Sequence, residues 1–361
     1  MRTGAEEVMP KKANLQDVAK AAGVSVATVS RVANGLDTVT PALRDKVIQA
    51  ALQLGIDLRQ KSQFNVIAFL LSNRGVLHPF HSSVLVGAEA HCALHGYALL
   101  FVQLEYGLHV PAENLFVPGV LENRHLTRGV IVAGTNAENL LHLLDRQGIP
   151  IVVLGNNVVG AWQPDNYDTV FFDDIDGTKA LTRYLLSLGH KRILFVGNCK
   201  LPWFLRRFEG YRAAIEEAGL EVLLGDIDSP SPEEIGYLAT KSVLDRSHPI
   251  SAVIAGEDAA ARGVYRAIAD KGLRIPEHIS VAGFNDTLEA SALSPPLTSV
   301  HVFTEQLGKQ LAQLLMNRVA HPGLGPKTLM LPTRLVKRES CAPPRLESIA
   351  APPIQAASAV L

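Results

Sequence analysis

The sequence predicts a small all-α helix-turn-helix head followed by an α/β body of two doubly wound lobes. Three observations carry that expectation. Residues 14–34 hold two short segments of helical period separated by a glycine-containing turn. From about Val66 to Ser340, short apolar runs alternate with amphipathic helical segments. Those runs fall into two sets, each sufficient for its own parallel sheet, and two such lobes enclose a ligand cleft.

The head comes first. Asn14 can cap the first helix, and Asp17 three residues on completes a capping-box-like arrangement. Leu15, Val18 and Ala19 share one face. Gly23 stands where the chain turns sharply, since a residue without Cβ tolerates a positive φ. Ser25 can cap a second helix running from Val26 to about Asn34. Val29 and Val32 face its partner, while Val26, Ala27, Ser30 and Arg31 point outward, with Thr28 and Asn34 on the flanks of that face. Small groups, hydroxyls and one guanidinium on an exposed helix suit insertion into a DNA major groove. A third helix starts at Thr40 as cap and Pro41 at its first position, with Leu43, Val47, Ile48, Ala51 and Leu54 as its buried stripe.

In the body, the first set of strands is Val66–Leu71, Tyr97–Gln103, Gly129–Ala133 and Ile151–Leu154. The second is Thr169–Phe172, Ile193–Gly197, Ala252–Ala255 and Ile279–Phe284. Helices are expected at Asn136–Gln147, Gly177–Leu188 and Asp258–Lys271. None of the apolar runs alternates with polar residues, as expected of strands covered on both faces.

Composition sets bounds on function. The 361 residues allow two or three domains, and a net charge of −1 gives no whole-chain nucleic-acid signal. The first 62 residues are nonetheless modestly basic: Arg2, Lys11, Lys12, Lys20, Arg31, Arg44, Lys46, Arg59 and Lys61 stand against Glu6, Glu7, Asp17, Asp37, Asp45 and Asp57. Cys92, Cys199 and Cys341 show neither zinc nor disulfide spacing. No signal-like or membrane-spanning apolar run is present, so a cytoplasmic location with no membrane partner is expected. The chain lacks GxGxxG after a strand, a Walker loop, HExxH and GxSxG; Gly325-Pro326-Lys327-Thr328 only echoes the second. Neither catalysis nor a cofactor is therefore expected. The rival readings are a small-molecule-binding protein, such as a transport receptor, or a sugar-processing enzyme on a similar fold.

The run Asp17-Val18-Ala19, Ala22-Gly23-Val24-Ser25, then Ala27 through Asn34, resembles the headpiece of the lactose-repressor (LacI/GalR) family of bacterial transcription factors. The body resembles that family's periplasmic-binding-protein-like core, through His78-Pro79-Phe80, Gly189-His190-Lys191-Arg192-Ile193, Arg207-Phe208-Glu209-Gly210-Tyr211 and Ile279 to Asp286. Pro295 to Val300 and Pro332 to Val336 complete the match. By that resemblance Val26, Ala27 and Arg31 read bases, Arg31 through two hydrogen bonds to a guanine edge and the apolar pair through thymine methyls. Ser25, Thr28, Ser30 and Asn34 would bind phosphates and fix register. The partners implied are a pseudo-palindromic operator duplex, a carbohydrate-like effector and a second copy of the chain. The effector would bind between the lobes and control operator affinity, most commonly for repression.

Carried over position by position, the resemblance puts Arg207 at the ligand clamp, with a rigid fork suited to hydroxyl or carboxylate oxygens. His78 and Phe80 stand at the cleft mouth, with His81 beside them. Asp176 is either an acidic ligand contact or a helix cap. Asn285 stands where the family commonly has aspartate, keeping hydrogen-bonding capacity without the charge. Glu257 replaces a frequent asparagine and would favour a donor-rich or cationic ligand, unless it turns to solvent while Asp258 caps its helix. Trp203 supplies an aromatic platform or packs in its loop. His91 and His95 have helical metal-ligand spacing but no third ligand, so a solvated face and no metal are expected.

The expected organisation is a flexible arm (1–12), the helix-turn-helix domain (13–57), a short linker (58–65), the two-lobe core (64–340) and a disordered tail (341–361). One lobe would span about 64–161 plus 288–325, and the other about 162–287 plus the terminal strands. The linker is several residues shorter than the family's hinge, whose leucines wedge into the minor groove, so little operator bending is expected. Pro343, Pro344, Pro352 and Pro353 exclude a leucine-heptad tail, which leaves a homodimer rather than a tetramer.

Overall fold

The computed structural model describes residues 13–33, 39–56, 58, 65–75, 77–123, 126–246 and 249–345. Asn34, the arm, most of the linker and residues 346–361 lie outside the described residues. Head and body form separate compact units.

The head comprises α1 (Leu15–Ala22), α2 (Val26–Ala33) and α3 (Pro41–Gln53). Asn14 Oδ1 accepts from the N–H of Gln16 and Asp17, and Asp17 Oδ2 accepts the Asn14 N–H in return, a complete capping box. Gly23 ends α1 at φ 62°, where its N–H and that of Val24 bond back into the last turn. Val18, Ala22, Val29, Val32, Val47 and Ala51 close a small core between the three helices. Thr40 is the cap residue of α3 and Pro41 opens the helix, as read, although the Thr40 side chain makes no cap hydrogen bond. One expectation fails in α3. Leu54 follows the helix and is exposed, while Ala50 joins the buried face instead.

In the body the strands are β1 (Val66–Ser72), β2 (Ala98–Leu104), β3 (Thr127–Gly134), β4 (Asn136–Ala137), β5 (Ile151–Leu154), β6 (Val158–Val159) and β7 (Asp168–Phe172). They continue with β8 (Ile193–Gly197), β9 (Leu223–Asp226), β10 (Ala252–Ala255), β11 (Ser280–Asn285), β12 (Thr298–Val302), β13 (Thr328–Leu331) and β14 (Thr333–Val336). The helices are α4 (Pro79–Leu94), α5 (Gly119–Glu122), α6 (Glu138–Arg146), α7 (Asp174–Ser187) and α8 (Pro202–Glu217). After them come α9 (Pro232–Asp245), α10 (Asp258–Asp270), α11 (Leu288–Ala292) and α12 (Thr304–Ala320).

One sheet runs β13-β7-β5-β3-β1-β2 and the other β14-β12-β11-β10-β8-β9, with β4 and β6 in a separate two-stranded ribbon. Described pairings are parallel except β12 with β14. Along β1 the period of two sends Ile67, Phe69 and Leu71 into the core under α4 and α12, and Ala68 and Leu70 into the core under α6. Helices α4 and α12 touch backbone to backbone: a Cβ on Gly87 would stand 2.0 Å from Glu305 O, and one on Gly308 2.0 Å from Val84 O. β2 is an edge strand, exposed at Ala98, Phe101 and Gln103 and buried only at Val102, not a fully covered one.

The chain crosses between lobes three times, after β7, after β12 and after β13. The expected lobe boundaries need correction. Thr169–Phe172 belongs to the first sheet, hydrogen-bonded between β5 and β13, and β12 belongs to the second. The first lobe is therefore about 66–172 plus 304–331, and the second about 173–302 plus the segment from 333 on. The start of the expected tail is held in place as well. Ala342 O accepts from His190 Nε2 and Ser280 Oγ, and the Ala342 N–H donates to Ser280 Oγ.

Candidate functional site

On α2 the expected division of faces holds except at Ser30: Val29, Val32 and Ala33 are buried and Val26, Ala27 and Arg31 are exposed, while Ser30, expected to point outward, is half-buried like Thr28. Ser25 Oγ accepts the Thr28 N–H at 3.1 Å and lies 2.9 Å from Thr28 Oγ1. That bond caps the helix and fixes both hydroxyls at its N-terminus, where backbone N–H groups and the helix dipole favour a phosphate. The exposed surface is thus an apolar pair and a guanidinium on a rigid rod, flanked by hydroxyls.

In the body, side chains from both lobes meet at the carboxyl ends of the parallel strands, the end where open α/β sheets take ligands. Arg74, His78, Phe80 and His81 follow β1; Asn157 follows β5; Phe172 ends β7. From the other lobe come Trp203 and Arg207 on α8, Glu257 after β10 and Asn285 at the end of β11. These enclose about 20 Å³, room for roughly one water. A wider compartment of about 590 Å³ shares Phe80 and Asn285 with it, and is bordered by Ser82, Ser83, His301, Thr304 and Gln306.

Arg207 is 2% exposed. It donates from Nη1 to Gly256 O (2.6 Å) and from Nη2 to Asn285 Oδ1 (3.0 Å), and its guanidinium lies 4.0 Å from the Phe284 ring centre. Its buried Nε has no partner. Asn285 holds this geometry at φ 105°, a left-handed conformation that asparagine tolerates better than most residues. Arg74 donates from Nε to Thr135 Oγ1 and stacks 4.3 Å above the Trp203 ring, bridging the two lobes. The Nδ1 atoms of His78 and His81 are buried without partners. Burial lowers the pKa of His78 and takes that of His81 well below the usual range, so both are neutral near pH 7. Burial also lowers the pKa of both arginines, opposed by Glu257 at Arg74 and by Asp174, Glu257 and Asp258 at Arg207.

Several expected residues land elsewhere. Asp176 is exposed in the first turn of α7 and is not the helix cap: Asp173 Oδ1 caps it by accepting the Asp176 N–H. The buried carboxylate of that turn is Asp174, which accepts from Arg206 Nε at 2.8 Å and Asn156 Nδ2 at 3.1 Å. Glu257 does not turn to solvent; it is buried in the cleft wall and itself occupies the cap position of α10. Asp258 is the first residue of that helix, held by Ser299 Oγ–H and the Thr287 N–H, with its carboxyl pushed up to about 7 by burial. Trp203 is both packed and cleft-lining. His91 is buried rather than solvated, its ring 4.2 Å from that of His95. Among the described residues no group of three or more His, Cys, Asp or Glu could hold a metal. Arg74, Asn157 and Phe172 escaped sequence reasoning, although each follows or ends a parallel strand, a position that could have marked them.

Comparison with known proteins places both parts. A family model described as bacterial regulatory proteins, lacI family, matches residues 14–55, and one described as a periplasmic binding protein-like domain matches residues 182–341. The chain is 30% identical over 345 residues to the HTH-type transcriptional regulator CelR of Thermobifida fusca, covering 91% of this chain and 98% of the relative. It is 30% identical to the ribose operon repressor of Escherichia coli (strain K12), covering 91% and 99%. A solved transcriptional regulator CelR–cellobiose complex matches at 31% identity with a TM-score of 0.67, covering 91% of this chain and 99% of that one. No helix among the described residues is long and apolar enough to cross a membrane.

Proposed function

The chain belongs to the LacI family of bacterial regulatory proteins, and from that premise we propose a homodimeric, cytoplasmic, non-catalytic repressor whose operator affinity is set by a sugar-like effector held between the body lobes. Val26, Ala27 and Arg31 read base edges, and Ser25, Thr28 and Ser30 contact phosphates. One observation carries the DNA half: α2 buries Val29 and Val32 while presenting Val26, Ala27 and Arg31 to solvent. Two heads on one dimer fit a pseudo-palindromic site with one head per half-site.

For the effector half, Arg207, Asn285, Trp203, Glu257, His78 and Phe80 are the contacts. The support is their convergence from both lobes on one compartment, with donors and acceptors interleaved with aromatic faces. The sugar class rests on relatives named for ribose and for a cellobiose complex. Since the inner compartment holds about one water, a sugar enters when the lobes part or through the wider compartment.

Selection of duplexes from a random pool, followed by deletion of residues 1–60, tests the assignment. The full chain should enrich a palindromic sequence. The deleted chain should lose DNA binding and keep ligand binding. Loss of both, or enrichment of no sequence, would refute it.

A further inference from the structure

The cleft carries more fixed positive charge than its own carboxylates balance, and we propose that its ligand is an anionic sugar derivative whose carboxylate or phosphate group is held by Arg74 and Arg207. This names the effector class and rests on the cleft being the effector site.

Buried charges in proteins are paired, because an isolated one forfeits its hydration. Among the residues lining the inner compartment Glu257 is the one carboxylate, and the buried carboxylates behind it are engaged elsewhere. Asp174 is paired with Arg206 and accepts from Asn156. Asp258 accepts only from the neutral donors Ser299 Oγ–H and Thr287 N–H, and burial pushes its carboxyl up to about 7, which reduces the charge it sets against Arg207. Asp286 faces His301 at 2.9 Å and Arg338 at 2.6 Å. The lining therefore sets two guanidinium groups against one carboxylate, with Asp258 offsetting Arg207 only in part from behind it.

The arginines are also set up as donors. Both acceptors of Arg207, Gly256 O and Asn285 Oδ1, are neutral, and its buried Nε–H is unspent. Arg74 is pinned by Thr135 on one side and by the Trp203 face on the other, and it forms no ion pair among the described residues. That leaves its Nη groups for an oxyanion, with little side-chain entropy left to lose. The unpartnered Nδ1 atoms of His78 and His81 add hydrogen-bonding capacity beside them. The remainder of the ligand is a polyol: the adjoining compartment offers hydroxyls and an amide from Ser82, Ser83, Thr304 and Gln306, and its carboxylates, Asp286 and Glu305, would accept from ligand hydroxyls.

Calorimetric titration of the full chain at pH 7 and low salt tests this. The probes are D-gluconate, D-galacturonate and D-glucose 6-phosphate, against neutral D-glucose and D-galactose and cationic D-glucosamine. At least one acid should bind about tenfold or more tighter than its neutral parent, and comparing carboxylates with the phosphate identifies the anionic group. Arg74→Met should weaken that binding about tenfold, whereas the isosteric Glu257→Gln should tighten it, a direction that misfolding cannot mimic.

Neutral sugars binding as tightly as their acids, with loss on Arg207→Gln, would overturn the charge assignment and leave the effector site standing. Preference for glucosamine would overturn it in favour of Glu257 as the charge determinant. Binding of no probe by a chain that still holds its operator would overturn both.

Discussion

Arg31→Ala is the sharpest perturbation of the reading helix. Its side chain is exposed on α2, opposite buried Val29 and Val32, so its removal should change folding stability by less than about 0.5 kcal/mol. A bidentate guanidinium–guanine contact contributes about 1–3 kcal/mol of discrimination. Two heads on a symmetric site use it twice at well-separated positions, which gives roughly 2–6 kcal/mol. Specific affinity should therefore fall between roughly thirtyfold and twenty-thousandfold. Fluorescence anisotropy on a selected operator and on a scrambled duplex of equal length measures both terms. The specific affinity should fall, while scrambled binding and the salt slope change little, since a base contact neutralises no phosphate. Equal losses on both duplexes, or none on either, would refute the placement of Arg31 against a base.

Other perturbations probe the scaffold. Gly87→Val would put side-chain atoms where Glu305 O already stands, forcing α4 from α12 at a cost of about 1–3 kcal/mol in urea unfolding; an unchanged midpoint contradicts that packing. Arg318→Ala strips buried Asp168 of a two-pronged partner, with Nε at 2.6 Å and Nη2 at 3.1 Å, and should cost about 3 kcal/mol by the same measurement. For Asp258, burial lifts the carboxyl from 3.8 to about 7, so the folded state binds its proton more tightly than the unfolded one. That stabilisation is fully present below about pH 4 and lost as pH rises through 7; Asp258→Asn should flatten the stability profile between those values, and an unaltered slope would exclude it as the source. Finally, the short linker predicts little operator bending, which circular-permutation gel mobility reads directly; a sharp central kink would contradict it.

How far the sequence was legible depended on whether a pattern was local. The capping box at Asn14 and Asp17, the turn at Gly23 and the buried face of α2 are set within a few residues, and they appear as read. The strands of the body were legible for the same reason, because a run such as Ile151–Leu154 has to be covered on both faces. Membership of a sheet was not legible. Thr169–Phe172 looks like any buried strand, and only its ladder with β5 and the distant β13 puts it in the first lobe. His91 as a solvated residue and Asp176 as a cap failed for a related reason. The first was judged by its spacing to His95, although the neighbouring elements that bury it lie far away in sequence. The second was matched by motif position, two residues from the carboxylate that Arg206 and Asn156 engage.

The placement of the cleft explains how its occupancy can bias the lobes. Phe172 is the last residue of β7 before the chain crosses, and its ring centre lies 5.6 Å from Phe80 and 6.4 Å from Phe284. The three rings come from both lobes and line the first crossing. Asn156 ties the same point by taking the Phe172 N–H, then donating to Phe172 O and to Asp174 on the far side. Away from this pivot, the stacking of Arg74 on Trp203 bridges the lobes, an interaction of about 0.5–2 kcal/mol. A ligand can shift the lobes only by its difference in affinity for the two arrangements. Against a restraint of that size, a preference of about 2–3 kcal/mol is enough to reverse the balance, and a single charge-assisted hydrogen bond to Arg74 or Arg207 is of that order. On the proposed reading, the strength of the ligand's grip on these two guanidinium groups, more than its total buried area, governs how far the lobes respond.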